Sequence, residues 1–198
     1  MAEQYRKKRD FSRTPEPAGG RRKPGKRPIF VIQKHDASRL HYDFRIEVDG
    51  VLKSWAVPKG PSTDPREKRL ALPTEDHPFD YADFEGVIPQ DQYGGGTVLV
   101  WDTGPYDNLT EKDGKTLPAG KAIERGHILM RLHGKKLKGG YALQRTGKGK
   151  SARWLLVKMK DDAADARRNP VSTEPKSVLS GRTLSQIARE EDDGADSQ

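Results

Sequence analysis

The chain has 198 residues, enough for one domain with flanking segments, and 32% of them are hydrophobic. Its 37 lysines and arginines outnumber its 29 aspartates and glutamates, and the formal net charge of +8 is typical of proteins that bind polyanions such as nucleic acid. The sequence lacks an apolar run near the roughly 20 residues that span a bilayer, so we expect no membrane partner. It also lacks cysteine, which excludes disulfides, thiolate metal sites and cysteine nucleophiles.

Charge is distributed unevenly along the chain. Residues 1–27 carry ten basic and three acidic side chains with several prolines and glycines, including the run Arg21-Arg22-Lys23, and this composition predicts a flexible basic arm. Such an arm is either a solvated tail without a specific role or a clamp that becomes ordered on nucleic acid, and charge alone leaves both open. Residues 161–198 carry five basic and nine acidic side chains. They are predicted to form a C-terminal tail with a short helix near 182–189.

From residue 28 the sequence changes to short runs of apolar, β-branched and aromatic residues separated by turn residues. Asp49-Gly50 is typical of a two-residue hairpin turn, and the glycine-containing segments 94–96, 103–105 and 139–140 are predicted to interrupt other runs. Strands are therefore predicted at 28–34, 41–48, 51–57, 69–72, 85–88, 97–101, 128–132, 141–145 and 154–160. Their number, without alternating helices, favours an all-β domain over residues 28–160, either a barrel or a sandwich.

The predicted strand at 41–48 has two chemically different faces. Alternate residues of a strand share a face, so His41, Asp43 and Arg45 lie on one side and apolar residues on the other. His41 and Asp43 would be about 7 Å apart along the strand, close enough to share one cation, and Arg45 could hold a phosphate beside it. His35, across a short loop, could supply a third ligand. Two histidines and a carboxylate with open positions suit Mn²⁺, Fe²⁺ or Zn²⁺.

The alternative interpretation is that this is the solvent-exposed face of an ordinary antiparallel strand, where such polar residues require no special explanation. The pair His127 and His133 has the same six-residue spacing but no carboxylate two residues later, and we predict it to be an ordinary surface feature. Spacing alone does not decide between a metal site and a polar strand face.

A second polar cluster is Glu75-Asp76-His77-Pro78 together with Tyr81. Pro78 disfavours helix at His77, so the cluster is predicted to lie in a loop or at a strand end, where functional side chains often occur. His77 could protonate a leaving oxygen or hold a phosphate oxygen, to which Tyr81 could also donate a hydrogen bond. A turn with a buried tyrosine would explain the same residues.

Four segments taken together are more specific than any spacing: 33–45 (QKHDASRLHYDFR), 55–60 (WAVPKG), 75–81 (EDHPFDY) and 85–89 (EGVIP). They resemble the 3′-phosphoesterase domain of bacterial ATP-dependent DNA ligase D, and the likeness runs from about residues 8–11 to 177–188. The core motifs show no departure from the pattern of that family. The chain is too short for the ligase and polymerase domains that accompany this module, so the resemblance implies a stand-alone version or an excised domain.

The resemblance implies an antiparallel β-barrel with a concave active-site face and a basic arm that is partly ordered on the domain. It also implies a manganese-dependent phosphoesterase, with Zn²⁺ or another divalent transition metal as alternatives. Such an enzyme removes a 3′-terminal ribonucleoside and then the remaining 3′-phosphate, which leaves a 3′-hydroxyl for repair. Matched by position, the metal ligands are His35, His41 and Asp43, and the residues on the scissile phosphate are Arg45, His77 and Tyr81. The supporting residues carried over in the same way are Gln33, Lys59, Arg69, Glu75, Arg9, Asp10 and Glu16.

Two other functions remain open from the sequence. A non-catalytic scaffold of a DNA end-joining complex would use the same basic surface but need not keep the metal and phosphate residues together. A nuclease that cuts internally is compatible with an open concave face. The implied partners are the 3′ ends of DNA or RNA/DNA primer-templates and end-joining ligase, polymerase or end-binding proteins, with no membrane. The expected location is the cytoplasm of a bacterial or archaeal cell, in association with the nucleoid.

Overall fold

The computed structural model of the chain describes residues 2–20, 25–147, 149 and 152–195. The Arg21-Arg22-Lys23 run falls outside these ranges. The strands are β1 (Ile29–Asp36), β2 (Leu40–Val48), β3 (Val51–Val57), β4 (Lys68–Pro73), β5 (His77–Pro78), β6 (Gly86–Ile88), β7 (Gly96–Asn108), β8 (Glu111–Lys112), β9 (Lys115–Thr116), β10 (His127–His133), β11 (Lys138–Thr146) and β12 (Arg153–Lys158). The helices are α1 (Glu3–Lys7), α2 (Ala119–Arg125), α3 (Pro170–Thr173), α4 (Leu184–Ala195) and a 3₁₀ helix (Phe79–Asp83). Within the described ranges, no helix has the length and apolar character needed to cross a membrane.

Eight strands close into an antiparallel barrel in the order β1-β2-β3-β4-β12-β11-β10-β7, and β7 pairs again with β1. The predicted all-β class and the barrel implied by the resemblance are confirmed, and the sandwich is excluded because the ladder of pairings is continuous. Strand β6 pairs with β7, and the short β5 pairs with β3, in addition to this circuit.

The hairpin between β2 and β3 is the element that the sequence predicts most directly. Asp49 and Gly50 have φ values of 51° and 80°, and two successive positive φ angles are the requirement of the primed turn that suits twisted strands. The turn fixes the register in which Asp43 lies opposite Ala56 and Arg45 opposite Ser54. It therefore sets which β3 residues neighbour the polar face of β2.

Two predicted interruptions are wrong. Residues 103–105 lie within β7, where Pro105 pairs with Ile29 of β1, and residues 139–140 lie within β11. At Gly104 an added Cβ atom would lie 2.2 Å from the carbonyl oxygen of His133. Glycine at this position therefore permits a close approach of two backbones inside the sheet rather than ending a strand.

Strand β2 is buried on both faces. Its inward residues Tyr42 and Phe44 belong to the barrel core, while its outward residues Asp43 and Arg45 are only 6% and 3% exposed. A second apolar cluster, here called the outer cluster, covers this outer face and consists of Ala2, Tyr5, Val31, Leu52, Phe79, Tyr81, Ala82, Phe84, Ile88, Val98 and Val100. The solvent-exposed-strand interpretation is therefore wrong, because the polar face of β2 lies beneath other chain segments.

The segments on either side of the barrel pack against it. In the N-terminal segment, Tyr5 of α1 is fully buried in the outer cluster. In the C-terminal segment, Ile187 of α4 joins the barrel core, and the indole nitrogen of Trp101 donates to the carbonyl oxygen of Glu174 at 2.8 Å. The division into an arm at 1–27, a domain at 28–160 and a tail at 161–198 stays a prediction.

Candidate active site

The pairing of β1 with β2 brings the three predicted metal ligands together. His35 lies directly opposite His41, and Asp43 is two residues further along the same face of β2. One ligand atom from each of the three side chains lies within 4.8 Å of the others. The loop between the strands is short, so the six-residue spacing of the histidines places them opposite each other in the ladder.

The donor atoms of this cluster fit a transition-metal ion. Nδ1 of His35 and Nε2 of His41 each lie 3.6 Å from a carboxylate oxygen of Asp43, which is too long for a hydrogen bond. Atoms that share one cation at about 2.1 Å are separated by about 3–3.5 Å, which is close to the observed spacing. Nδ1 of His41 lies 2.9 Å from the carbonyl oxygen of Arg39, so it carries the proton and leaves Nε2 with a free lone pair facing Asp43.

The ring of His35 also has one nitrogen without a partner in the part of the chain that the structure describes. Its Nε2 atom is buried and has no hydrogen-bond partner among the described residues, a situation that is rare because an unsatisfied buried polar atom costs free energy. The set of two imidazoles and a carboxylate suits Mn²⁺, Fe²⁺ or Zn²⁺. The residues present therefore fit a divalent cation.

The charge of Asp43 is maintained by its neighbours. Burial disfavours its ionised form, but the guanidinium of Arg45 at 3.2 Å and the two imidazoles outweigh this and hold the pKa of Asp43 well below its usual value. Asp43 is therefore ionised over the whole physiological pH range, as a metal ligand must be.

Arg45 is fixed by hydrogen bonds on three sides. Nε donates to Oε1 of Gln33 at 2.8 Å, and Nη1 donates to Oγ of Ser54 at 2.8 Å and contacts Nδ1 of His77 at 3.0 Å. Nη2 is left facing Asp43. The N–H groups of Nη2 are not engaged by Gln33, Ser54 or His77, and Nη2 lies 3.2 Å from a carboxylate oxygen of Asp43. The nitrogen that Arg45 can offer to a phosphate beside Asp43 is therefore Nη2.

His77 is a neutral imidazole at pH 7. Burial, and after it the positive charge of Arg45, lower the pKa of His77 well below its usual value. Its Nδ1 also lies 2.9 Å from the carbonyl oxygen of Glu75, and the aromatic rings of Tyr5 and Tyr81 pack against it with centroids 4.9 and 4.7 Å away. These contacts hold the ring in one orientation beside Arg45.

Tyr81 is linked to the N-terminal segment. Its hydroxyl donates to Oε1 of Glu16 at 3.0 Å, and the same oxygen accepts from Nε of Arg9 at 2.9 Å. Nη1 of Arg9 donates to Oε1 of Glu75 at 3.2 Å, and the guanidinium carbon of Arg9 lies 3.8 Å from the centroid of the Tyr5 ring. A chain of buried polar contacts therefore runs from the N-terminal segment to the wall of the site.

We expect Glu16→Ala to lower the free energy of unfolding by about 3 kcal/mol. The side chains of Arg9 and Glu16 are 4% and 0% exposed, and removing one partner of a buried ion pair leaves the other charge desolvated; Tyr81 also loses the acceptor of its hydroxyl. Urea denaturation followed by circular dichroism measures the change. Glu3→Ala is the matched control, since the exposed Glu3–Lys7 pair should contribute less than about 1 kcal/mol. Equal effects of the two variants would contradict this account.

The remaining predicted supporting residues divide into two groups. Gln33 donates to the carbonyl oxygens of Tyr81 and Phe84 while it accepts from Arg45, so it positions the guanidinium. Three others lie apart from the pocket: Lys59 is exposed, Arg69 contacts the Lys59 carbonyl oxygen and Glu67, and Asp10 accepts from Ser12 in a turn.

The site also contains residues that the sequence reasoning did not identify. Tyr5 packs on His77, Ser54 accepts from Arg45, and Tyr93 lies at the rim beside Glu75. Tyr5 and Tyr93 meet the site only through tertiary folding, and no local spacing indicates them. The alternation along β3 could have placed Ser54 on the same face as Ala56.

These side chains line a pocket of about 170 Å³, smaller than the roughly 300–1,000 Å³ of pockets that enclose a small-molecule ligand. A phosphate group and a cation fit this space, whereas an attached nucleoside must lie at the rim. The lining residues are Arg9, His35, Ala37, His41, Asp43, Arg45, Ala56, Thr74, Glu75, His77, Tyr81, Ile88, Tyr93 and Gly94.

Comparison with known proteins identifies the family of this chain. Residues 33–145 match the model of the DNA ligase D 3′-phosphoesterase domain. The chain is 52% identical over 188 residues to the multifunctional non-homologous end joining protein LigD of Pseudomonas aeruginosa, covering 91% of this chain and 21% of the relative. It is 46% identical over 163 residues to the Mycobacterium tuberculosis non-homologous end joining DNA repair protein LigD, covering 79% of this chain and 19% of the relative.

The chain thus spans about a fifth of the length of these relatives. The matched segment contains His35, His41, Asp43, Arg45 and His77. More than half of the chain matches one domain model, and nearly all of it aligns with a relative at high identity. The chain therefore belongs to the family of DNA ligase D 3′-phosphoesterase domains.

Proposed function

We propose that this protein is a metal-dependent phosphoesterase that processes the 3′ ends of DNA, removing 3′-terminal ribonucleosides and 3′-phosphates to leave a 3′-hydroxyl for repair. The observation that carries the proposal is the convergence of His35, His41 and Asp43 in a phosphate-sized pocket that Arg45 lines beside Asp43. Family membership supports the same role, since the relatives are end-joining proteins.

Mn²⁺, with Zn²⁺ or another divalent transition ion as alternatives, would be held by His35, His41 and Asp43 and would supply positive charge against the phosphoryl oxygens. Arg45 contributes a second, fixed positive charge, and its Nη2 donates to a phosphate oxygen. Gln33 and Ser54 hold Arg45 in place before substrate binds, so little reorganisation is needed when charge builds on the phosphate.

His77 acts as a neutral hydrogen-bonding group rather than as a proton donor of the imidazolium type. The lowered pKa of its ring leaves it uncharged at neutral pH, and Arg45 beside it disfavours protonation further. Tyr81 packs on the His77 ring, and its hydroxyl donates to Glu16. These contacts hold the His77 ring against the guanidinium of Arg45. Of the two roles that the sequence leaves open for His77, general acid and phosphate ligand, the lowered pKa supports the second.

The proposed substrates are the 3′ ends of DNA or of RNA/DNA primer-templates, and the proposed partners are the ligase, polymerase and end-binding proteins of end joining. Action on chromosomal ends would place the protein with the nucleoid in the cytoplasm. The net charge of +8 favours association with DNA, and binding should weaken as salt rises.

The test uses 5′-labelled primers that end in one ribonucleotide or in a 3′-phosphate, annealed to a longer template. The purified chain is incubated with each primer after EDTA treatment, with and without added Mn²⁺, and product length is read on a gel. We expect shortening or dephosphorylation only with the metal. Binding without any turnover would support the scaffold alternative, and cleavage within the primer would support an internal nuclease.

A further inference from the structure

Tyr93 is a large aromatic side chain left half exposed at the rim of the pocket, at 49% of its surface. Its loop is held by two turn hydrogen bonds, from the Gln92 nitrogen to the Pro89 carbonyl oxygen and from the Gly95 nitrogen to the Gln92 carbonyl oxygen, at 2.9 and 3.0 Å. The loop also passes close to the metal cluster, because a Cβ atom on Gly94 would lie 3.9 Å from the His35 ring. The ring is therefore fixed beside the predicted position of the phosphate.

Cations support the Tyr93 ring from the side of the N-terminal segment. Nζ of Lys8 lies 4.5 Å from the ring centroid and donates to the hydroxyl at 3.1 Å, and the guanidinium carbon of Arg9 lies 5.4 Å from the centroid. The hydroxyl also donates to Glu75 at 3.5 Å. Since these contacts secure the ring but leave half of the side chain accessible, it can accept a flat partner such as a nucleobase.

Charge indicates which side of the phosphate this partner occupies. The carboxylates of Glu3, Glu75 and Asp76 line a depression next to Tyr93, and each is paired with a cation: Glu3 with Lys7, Glu75 with Lys8 and Arg9, and Asp76 with Lys53. This part of the surface is therefore close to neutral and gives a strand with one phosphate for each nucleotide little attraction.

The strand order β7-β1-β2-β3 places the Tyr93 loop, which precedes β7, on one side of the metal cluster and Lys59, which follows β3, on the other. Arg39, in the hairpin between β1 and β2, and Lys59 are exposed and have no ion-pair partner among the described residues. The polyanionic part of the primer is thus favoured on the β3 side, and an uncharged nucleoside on the β7 side, beside Tyr93.

We propose that Tyr93 forms the binding subsite for the departing 3′-terminal ribonucleoside and stacks on its base, while the upstream strand runs over Arg39 and Lys59. This assignment rests on the proposed function, because it presumes a nucleoside attached to the phosphate in the pocket. It makes Tyr93 a determinant of the diesterase step and not of the phosphomonoesterase step, in which no departing nucleoside is present.

Three 3′ ends on one primer-template separate the possibilities: a terminal ribonucleoside, a terminal ribose without its base, and a 3′-phosphate. For Tyr93→Ala, we expect kcat/KM to fall about 10- to 100-fold on the ribonucleoside end, the range that base–aromatic stacking contributes, mainly through KM. The base-free ribose end and the 3′-phosphate end should change less than about threefold. Tyr93→Phe keeps the ring and should retain the ribonucleoside preference, whereas Tyr93→Leu should lose it.

An equal loss on all three ends would overturn the proposal, because it would assign Tyr93 to the upstream strand or to the structure of the loop. No loss on the ribonucleoside end would also overturn it. Equilibrium binding in EDTA is measured in parallel by fluorescence anisotropy, where the base should tighten Kd for wild type and for Tyr93→Phe but not for Tyr93→Ala. The binding measurement tests the Tyr93 subsite even when the wild-type protein cleaves none of the three ends. Absence of cleavage by wild type would refute the proposed function but not the base contact of Tyr93.

Discussion

Asp43→Asn should lower turnover of a ribonucleotide-ended primer on the order of a thousandfold, while the Kd for the same primer stays within about threefold. The substitution keeps the size of the side chain but removes the negative charge that lies 3.6 Å from both histidines and 3.2 Å from Arg45. Without that charge the cluster loses its affinity for a divalent cation. Primer binding persists because the basic surface is unchanged.

Asp36→Asn is the matched control for this experiment. Asp36 is the last residue of β1 and directly follows His35. Its side chain is exposed, and it is not part of the metal cluster. Activity should change by less than about threefold, and isothermal titration with Mn²⁺ should detect binding in wild type and in Asp36→Asn but not in Asp43→Asn. Full turnover by Asp43→Asn with Mn²⁺ supplied would refute the metal assignment.

The sequence brings His35, His41 and Asp43 together as candidate ligands because their geometry is local, although spacing alone also fits a polar strand face. The alternation of β2 separates Asp43 and Arg45 from Tyr42 and Phe44, and the Asp49-Gly50 turn fixes the register with β3. Each of these signals depends on neighbours within a few residues along the chain. Periodicity and turn chemistry are strongest at that range.

Local sequence patterns do not reveal that the N-terminal segment covers the site, because this depends on contacts between residues far apart in the sequence. Glu16 bonds to Tyr81 across 65 positions of sequence, and a charged arm rich in proline and glycine predicts flexibility. Within residues 2–20 of this arm, Tyr5 is fully buried in the outer cluster. Its ring contributes apolar contact area that composition averages over residues 1–27 do not reveal.

Strand β7 shows how a local rule is overridden by packing. The Gly104-Pro105 pair is typical of a turn, yet the strand continues to Asn108 because residues on both sides pair with β1 and β10. Glycine is required there by the close carbonyl of His133. Barrel closure therefore uses a glycine that local sequence assigns to a turn.

Arg45→Ala should lower kcat/KM by at least about a hundredfold, and Lys59→Ala by less than about tenfold. Arg45 is 3% exposed and is held by Gln33, Ser54, His77 and Asp43, so its charge is fixed beside the phosphate. Lys59 is exposed and does not line the pocket. Arg45→Lys should be nearly as inactive as Arg45→Ala, since one ammonium group cannot reach all of these partners.

Because Arg45 is buried, its removal could lower activity by destabilising the barrel, and chemical rescue separates the two causes. Breaking a buried pair costs about 3–5 kcal/mol, so each variant is first checked for a folded state by circular dichroism. Guanidinium at millimolar concentration, far below a denaturing level, should restore part of the activity of Arg45→Ala and none of that lost in Asp43→Asn. A folded Arg45→Ala enzyme that is no slower than Lys59→Ala would assign the guanidinium a structural role, because a charge acting on the phosphate cannot be removed without cost.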